Sequence, residues 1–357
     1  MANAATRSPE TTRAGLVTAY RKLIVRRTAI VAGLAALCVV ALVLDMVTGS
    51  SGLGWTAVLQ ALFDPGLMAA NDVFIVRELR LPHALMALLV GAALSLAGTE
   101  MQTLLDNPLS SPFTLGVSSA ASFGAALAIV LGITLPGIGQ DWMVSINAFV
   151  FAFGSLLLLQ LLTRLRDAGT GTVILFGIAL VFAFNALVTF IQSISSQTEL
   201  QQLVFWTMGS LSRGTWPHVG ILALILCLVV PFSLYAASSL TALRLGEDRA
   251  RSLGVNVTRL RFASLLRVSL LAATSVAFVG IIGFVGLVGP HIARMLVGED
   301  HRFLLPASVL SGAALMSLAS ALSKALVPGV VLPVGIVTSL VGVPLFLFLI
   351  FRRPGRV

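Results

Sequence analysis

The chain has 357 residues, 57% of them hydrophobic and only 10% charged, with a formal net charge of +9 and a mean hydropathy of +1.01. That composition excludes a soluble domain. Its long uninterrupted apolar runs and low aromatic content also exclude the alternating pattern of a β-barrel, which leaves an all-α polytopic membrane protein.

In chain order, residues 1–27 read as a polar, basic cytoplasmic tail. The apolar run that follows lacks a small-residue cleavage site, so it is expected to stay as an anchor. A bilayer span needs roughly 20 mostly apolar residues. On that measure ten spans are expected, near 28–47, 82–104, 114–133, 142–162, 172–194, 217–236, 262–281, 283–297, 304–325 and 332–351. The transmembrane domain is therefore 28–351, and 352–357 is a second cytoplasmic tail. With both termini inside, 19 of the 23 lysines and arginines fall on the cytoplasmic side, leaving Arg77, Arg80, Arg213 and Lys324 outside. Such a bias follows the positive-inside rule, so the net charge reflects membrane topology and not a nucleic-acid partner. Cys38 and Cys227 fall within spans and read as buried small hydrophobes.

Leu243–Arg261 is a charged island between two apolar runs. Gly246 gives a flexible start. Glu247 and Asp248 stand near a helix N-terminus where the dipole favours acids, Arg249 and Arg251 follow, and Gly254 suits a C-cap. A basic loop obeying topology and a surface helix suited to docking another protein both fit this pattern.

Residues 262–293 must cross the membrane twice in fewer than the roughly 40 residues that two full spans need. Gly280, Gly283, Gly286 and Gly289 fall here, followed by Pro290, so a broken or shortened helix is expected. Non-helical backbone at membrane depth marks either a pathway lined by Gly283 and Gly286 or tight packing on small residues. Glu100 is an acid within a span: it is either a functional intramembrane carboxylate or, about 27 Å along its helix, near enough to the cytoplasmic surface to reach water. Asn185 and Gln192 are seven positions apart on one helix face and suit either a polar pathway wall or interhelical hydrogen bonds. Asp106 precedes an Asn-Pro turn at the inner surface. His291, His218 and His301 each lack a second ligand nearby, so no metal site is expected.

Several ordered segments together resemble the permease subunits of type II ABC importers, the FecCD family of iron-siderophore, haem and cobalamin uptake. They are Leu79–His83 (LRLPH), Gly91–Gln102 (GAALSLAGTEMQ), Asn107–Gly116 (NPLSSPFTLG), Gly246–Val257 (GEDRARSLGVNV), Gly283–Arg294 (GFVGLVGPHIAR), Asp300–Pro306 (DHRFLLP) and Leu332–Pro344 (LPVGIVTSLVGVP). The resemblance covers about residues 55–352 and implies ten helices, a dimer with a second permease copy or paralogue, and a place in the bacterial inner membrane. It implies that Leu243–Arg261 docks into a cytoplasmic ABC ATPase dimer. It also implies that the outer face receives a periplasmic or lipid-anchored substrate-binding protein. Arg80 matches a basic docking position of the family, and Lys324 sits where many members carry arginine. His83 departs from the usual arginine, and Arg77 is either a compensating charge or a helix-end anchor. Asp106 stands where the family is often basic, and it pairs with either the ATPase or a neighbour.

The chain has no Walker A sequence, because Lys22 and Lys324 follow Arg21 and Ser323 and no Gly-Lys pair exists. ATP and Mg are thus expected on a separate ATPase, with no cofactor in this chain and no enzymatic site. The expected function is a permease for an iron chelate, most often a ferric siderophore in the family, with haem or cobalamin as the alternative cargo. A proton-coupled secondary transporter is the alternative of a different class; its usual broken-helix pairs with buried ionisable groups are poorly represented.

Overall fold

The computed structural model describes residues 9–49, 52–165, 170–327 and 329–351. Its helices are α1 (Pro9–Val47), α2 (Trp55–Phe63), α3 (Ala70–Phe74), α4 (Leu81–Leu104), α5 (Val117–Ile129), α6 (Gln140–Leu165), α7 (Thr170–Ser193) and α8 (Gln197–Thr207). They continue with α9 (Trp216–Tyr235), α10 (Ala237–Leu243), α11 (Glu247–Ser252), α12 (Val257–Val279), α13 (Val285–Val297), α14 (His301–Ala325) and α15 (Val334–Phe351). Seven helical stretches are long and apolar enough to cross a membrane, and α3 joins α4 through a π-helical turn to make one of them. Three shorter apolar helices, Val117–Ile129, Val285–Val297 and Val334–Pro344, complete the ten expected spans. The tail 352–357, residues 1–8 and Arg166 lie outside the described residues.

α4 is the central post, because it is apolar all round and buried along most of its length. Small residues let its neighbours come close. A Cβ at Gly91 would collide with the carbonyl of Gly312 on α14, and one at Gly98 with the carbonyl of Gly286 on α13. Hydroxyls seal the same seam: Ser95 Oγ donates to the Ser308 carbonyl at 2.7 Å, and Thr99 Oγ1 lies 2.5 Å from Ser308 Oγ.

The glycine-rich crossing is broken, as its shortness demands. α12 ends at Gly280 (φ 77°), Gly280–Phe284 is non-helical, and α13 is only 13 residues long. The break is enclosed by protein. Ser210 N donates to the Val279 carbonyl at 2.7 Å, and Gly209 and Gly335 lie so close that a Cβ at either would strike the Ile281 carbonyl. Phe284 holds φ 68°, a left-handed conformation unusual for a bulky residue.

Two expectations need correction. Cys38 is buried and its thiol donates to the Leu310 carbonyl at 3.2 Å, but Cys227 is exposed, on a face of α9 that the chain leaves uncovered. Glu100 does not reach water: it is 1% exposed, since α9 and α12 close over the C-terminal end of α4.

Candidate functional site

The charged island folds into a compact surface element. Gly246 takes φ 101° to turn the chain out of α10 and start α11. Gly254 takes φ 83°, and its N–H donates to the Arg251 carbonyl while Val255 N–H reaches the Ala250 carbonyl at 3.0 Å. That pair of bonds is a Schellman cap, which ends the helix after six residues. Ala250 is fully buried beneath α11, so the opposite face is held outward. Glu247 is half-buried and turns inward to ion pairs with Arg251 (3.2 Å) and Arg261. The exposed side offers Asp248, Arg249, Arg251 and the apolar Leu245 and Leu253. An exposed apolar pair flanking mixed charges suits a protein partner better than water or lipid alone.

A chain of ion pairs joins this element to the rest of the same face. Arg244 holds Asp106 at 2.6 Å and Glu299 at 3.3 Å, and Arg294 also reaches Glu299 at 3.0 Å. Asp106 therefore pairs with a neighbour within the chain. Asp300 caps α14 and receives Arg302 at 2.8 Å and Arg27 at 3.5 Å. The Arg302 hydrogen bond holds the Asp300 carboxyl below the usual carboxylate range. Arg27, Thr241, Arg244, Glu299 and Arg302 line a cavity of about 490 Å³ here.

On the face opposite the charged island, Arg77, Arg80, Arg213 and Lys324 stand against backbone carbonyls. Arg77 donates to Ala61 and Leu62 at 2.9 and 2.8 Å, closing the C-terminus of α2. Arg80 is 7% exposed and donates to Met46 at 2.7 Å and Val47 at 3.2 Å, at the end of α1. Lys324 donates to the Asp45 carbonyl at 3.0 Å and to its carboxylate at 2.7 Å, and Asp45 is fully buried. Arg213 donates to Phe205 and Trp206 at the end of α8. Helix C-termini leave up to four carbonyls without partners, and cations satisfy both their hydrogen bonding and the dipole. Arg80 and Lys324, at the expected docking positions, are thus engaged within the chain, and Arg77 stands as a helix-end anchor. His83 is half-buried beside Lys324.

The remaining expected residues divide. Asn185 is exposed on α7 and Gln192, one face-repeat further on, is half-buried. Gly286 packs within 3.0 Å of the Leu94 carbonyl, counting from an added Cβ, so it serves helix packing instead of a pathway. Gly283 has open space where its Cβ would stand. Between α6, α8, α9 and α12, at the end far from the charged island, lies a cavity of about 780 Å³ with Asp141, Trp142, Gln201, Arg213 and His218 in its wall.

Sequence reasoning passed over Asp45 and Arg267. Asp45 sits two residues from the end of α1, where it resembles an interfacial acid; its distance in sequence from Lys324 hides the pair. Arg267 was counted with the cytoplasmic arginines, although ten residues of helix separate it from the start of α12.

The FecCD transport family matches residues 37–352. The hemin transport system permease protein HmuU of Yersinia pestis is 37% identical over 276 residues, 77% of this chain and 83% of HmuU. The Fe(3+) dicitrate transport system permease protein FecD of Escherichia coli is 37% identical over 279 residues, 78% and 86% of the two chains. A solved metal-chelate type ABC transporter in an inward-facing conformation superposes with a TM-score of 0.80 at 33% identity, covering 91% of this chain and 99% of that one. The protein is thus a polytopic permease of the ABC transporter class. Within that class the chain belongs to the FecCD transport family.

Proposed function

We propose that this chain is the transmembrane permease of an importer for an iron chelate, with a ferric siderophore as cargo. The observation that carries the reading is α11, a capped helix held outward between two spans in a chain related to hemin and Fe(3+) dicitrate permeases. Its exposed Asp248, Arg249 and Arg251 are the contacts for a cytoplasmic ATPase dimer that binds ATP and Mg. The domain organisation follows: a basic tail over 1–27, a membrane body over 28–351 with its coupling loop at 243–261, a tail at 352–357, and both termini in the cytoplasm. Transport is a shift between outward-open and inward-open populations driven by the ATPase, so only differential contacts in the two states do work.

A second copy or a paralogue covers α7, whose exposed face carries Phe182, Asn185 and Phe190. A polar amide among apolar side chains suits a path shared by two subunits better than lipid. Gln192 and Gly283 belong to the same path. At the outer face, Asp64, Glu78 and Asp141 are exposed while the basic residues are engaged, so the substrate-binding protein meets this subunit with a basic rim.

Relatives at 35–36% identity include vitamin B12 import permeases, and cobalamin is therefore the second cargo to test. The experiment is uptake into proteoliposomes that hold the chain and its ATPase, with ATP inside and binding protein with ferric siderophores, haem or cobalamin outside. Accumulation that needs ATP and a ferric siderophore is the expected result. Accumulation of cobalamin or haem alone overturns the cargo, and uptake that ignores ATP overturns the importer.

A further inference from the structure

A second carboxylate, deep in the chain, joins both arms of the coupling loop. Glu100 lies near the inner end of α4 and is 1% exposed. Arg267 of α12 reaches it with Nε at 3.0 Å from Oε1 and Nη2 at 2.7 Å from Oε2, a two-pronged grip. Ser233 of α9 donates to the same Oε1 at 2.5 Å. Ser264, one turn before Arg267, lies 2.7 Å from Arg267 Nη2 and completes the network.

The topology makes this arrangement consequential. α9 leads into α11 through α10, and α12 leads out of it, so Ser233 belongs to the upstream arm and Arg267 to the downstream arm. At the surface, Glu247 ties α11 to Arg261, six residues before Arg267 on the same rigid helix. Six residues are about 9 Å of α helix. Movement of α11 is thus carried along α12 to the Arg267 guanidinium, and from there to Glu100. α4 in turn is locked to α13 and α14 by the Gly98–Gly286 and Gly91–Gly312 approaches, so it moves as part of that body.

Stability alone is a poor reason to bury such a pair, because a desolvated ion pair is often matched or bettered by apolar residues of similar volume. What the pair supplies is direction: the planar guanidinium against a carboxylate fixes how α12 is rotated and how far it slides along α4. The geometry points to Glu100 as a positioning residue that couples both arms of the α11 loop to α4, with Arg267 and Ser233 as its two links. The inference rests on the reading of α11 as the ATPase contact.

The test uses the full complex of this chain, its ATPase and its binding protein in proteoliposomes, and reads ATP hydrolysed per cargo imported. Removing one charge alone risks misfolding, so the main variant is the double Glu100→Gln/Arg267→Met, which leaves no unpaired ion. Ser233→Ala is a milder variant that keeps the ion pair. Arg251→Glu, on the exposed side of α11, runs in parallel. The double variant is expected to keep its melting temperature within about 3 °C and to raise the ATP-to-cargo ratio about fivefold or more, with Ser233→Ala in between. An unchanged ratio in the double variant while Arg251→Glu raises it overturns the positioning role alone. An unchanged ratio in both overturns this role and the α11 reading together. A raised ratio in the double variant with Arg251→Glu unaffected supports the positioning role and removes Arg251 alone from the α11 contact. Failure of the double variant to assemble, with Ser233→Ala at the normal ratio, makes the pair purely structural and overturns the inference.

Discussion

Lys324→Ala distinguishes a docking lysine from a structural one. The Lys324 side chain is 11% exposed, and its ammonium holds a fully buried Asp45, whose Oδ2 has no hydrogen-bond partner among the described residues. Deleting the lysine leaves a buried carboxylate without its cation, and breaking one side of such a pair costs about 3–5 kcal/mol. The backbone loses as well, since the Asp45 carbonyl also accepts from Nζ at 3.0 Å. At about 2–4 °C per kcal/mol, the midpoint of thermal unfolding in detergent falls by roughly 6 °C or more. The double variant Asp45→Asn/Lys324→Met, with no ion left to desolvate, recovers most of that loss. A Lys324→Ala midpoint within about 2 °C of wild type, together with weakened affinity for the binding protein, would refute the structural assignment and return Lys324 to the docking surface.

Further outcomes follow from the same geometry. Gly98→Val forces a side chain into the Gly286 carbonyl and should abolish assembled protein on size exclusion, whereas Gly283→Ala, which meets nothing, should leave the chromatogram unchanged. Arg251→Glu should lower cargo-stimulated ATP hydrolysis several-fold while the chain stays folded; normal stimulation would remove α11 from the coupling path. Glu78→Lys with Asp141→Lys should weaken the binding protein, more at low salt than at high salt. Unchanged affinity across salt concentrations would remove both acids from the docking face. Arg80→Ala should lower the thermal midpoint by unmaking its bonds to Met46 and Val47, with any loss of binding-protein affinity following from that.

Spans were legible in the sequence because a helix in lipid must satisfy its backbone internally, and so needs a run of apolar residues of fixed length. The same rule exposed the short crossing at 262–297, where the number of residues cannot supply two full helices. The surface element at 246–254 was legible for a different reason: left-handed glycines and first-turn acids are local requirements. What stayed hidden were pairs between distant segments. Nothing near Asp45 announces Lys324, 279 positions away, and nothing near Glu100 announces Arg267. The contacts of Arg77 and Arg80 were not legible either, because sequence shows a charge but not its direction. A free helix C-terminus attracts the same arginine that a partner protein would, and Met46, Val47, Ala61 and Leu62 offered their carbonyls first.

The distribution of scarce polar groups separates what can move from what cannot. α4, α13 and α14 meet through glycine backbones and the Ser95–Thr99–Ser308 hydroxyls, contacts so close that relative sliding would leave buried donors without acceptors. α7 makes no comparable seam along its outer face, where Phe182, Leu187 and Phe190 stand exposed and Thr189 returns its hydroxyl proton to its own helix at the Asn185 carbonyl. Thr189 and Ser193 both bond to their own helix, at the Asn185 and Phe190 carbonyls, so a tilt of that half of α7 keeps these bonds and costs mainly dispersion contacts, which are small one by one. The chain therefore concentrates rigidity in the α4 body, which is proposed to receive motion from α11. It leaves compliance in α7, the helix proposed to face the pathway, and that is the division a transport subunit needs if hydrolysis at one face is to open a route elsewhere.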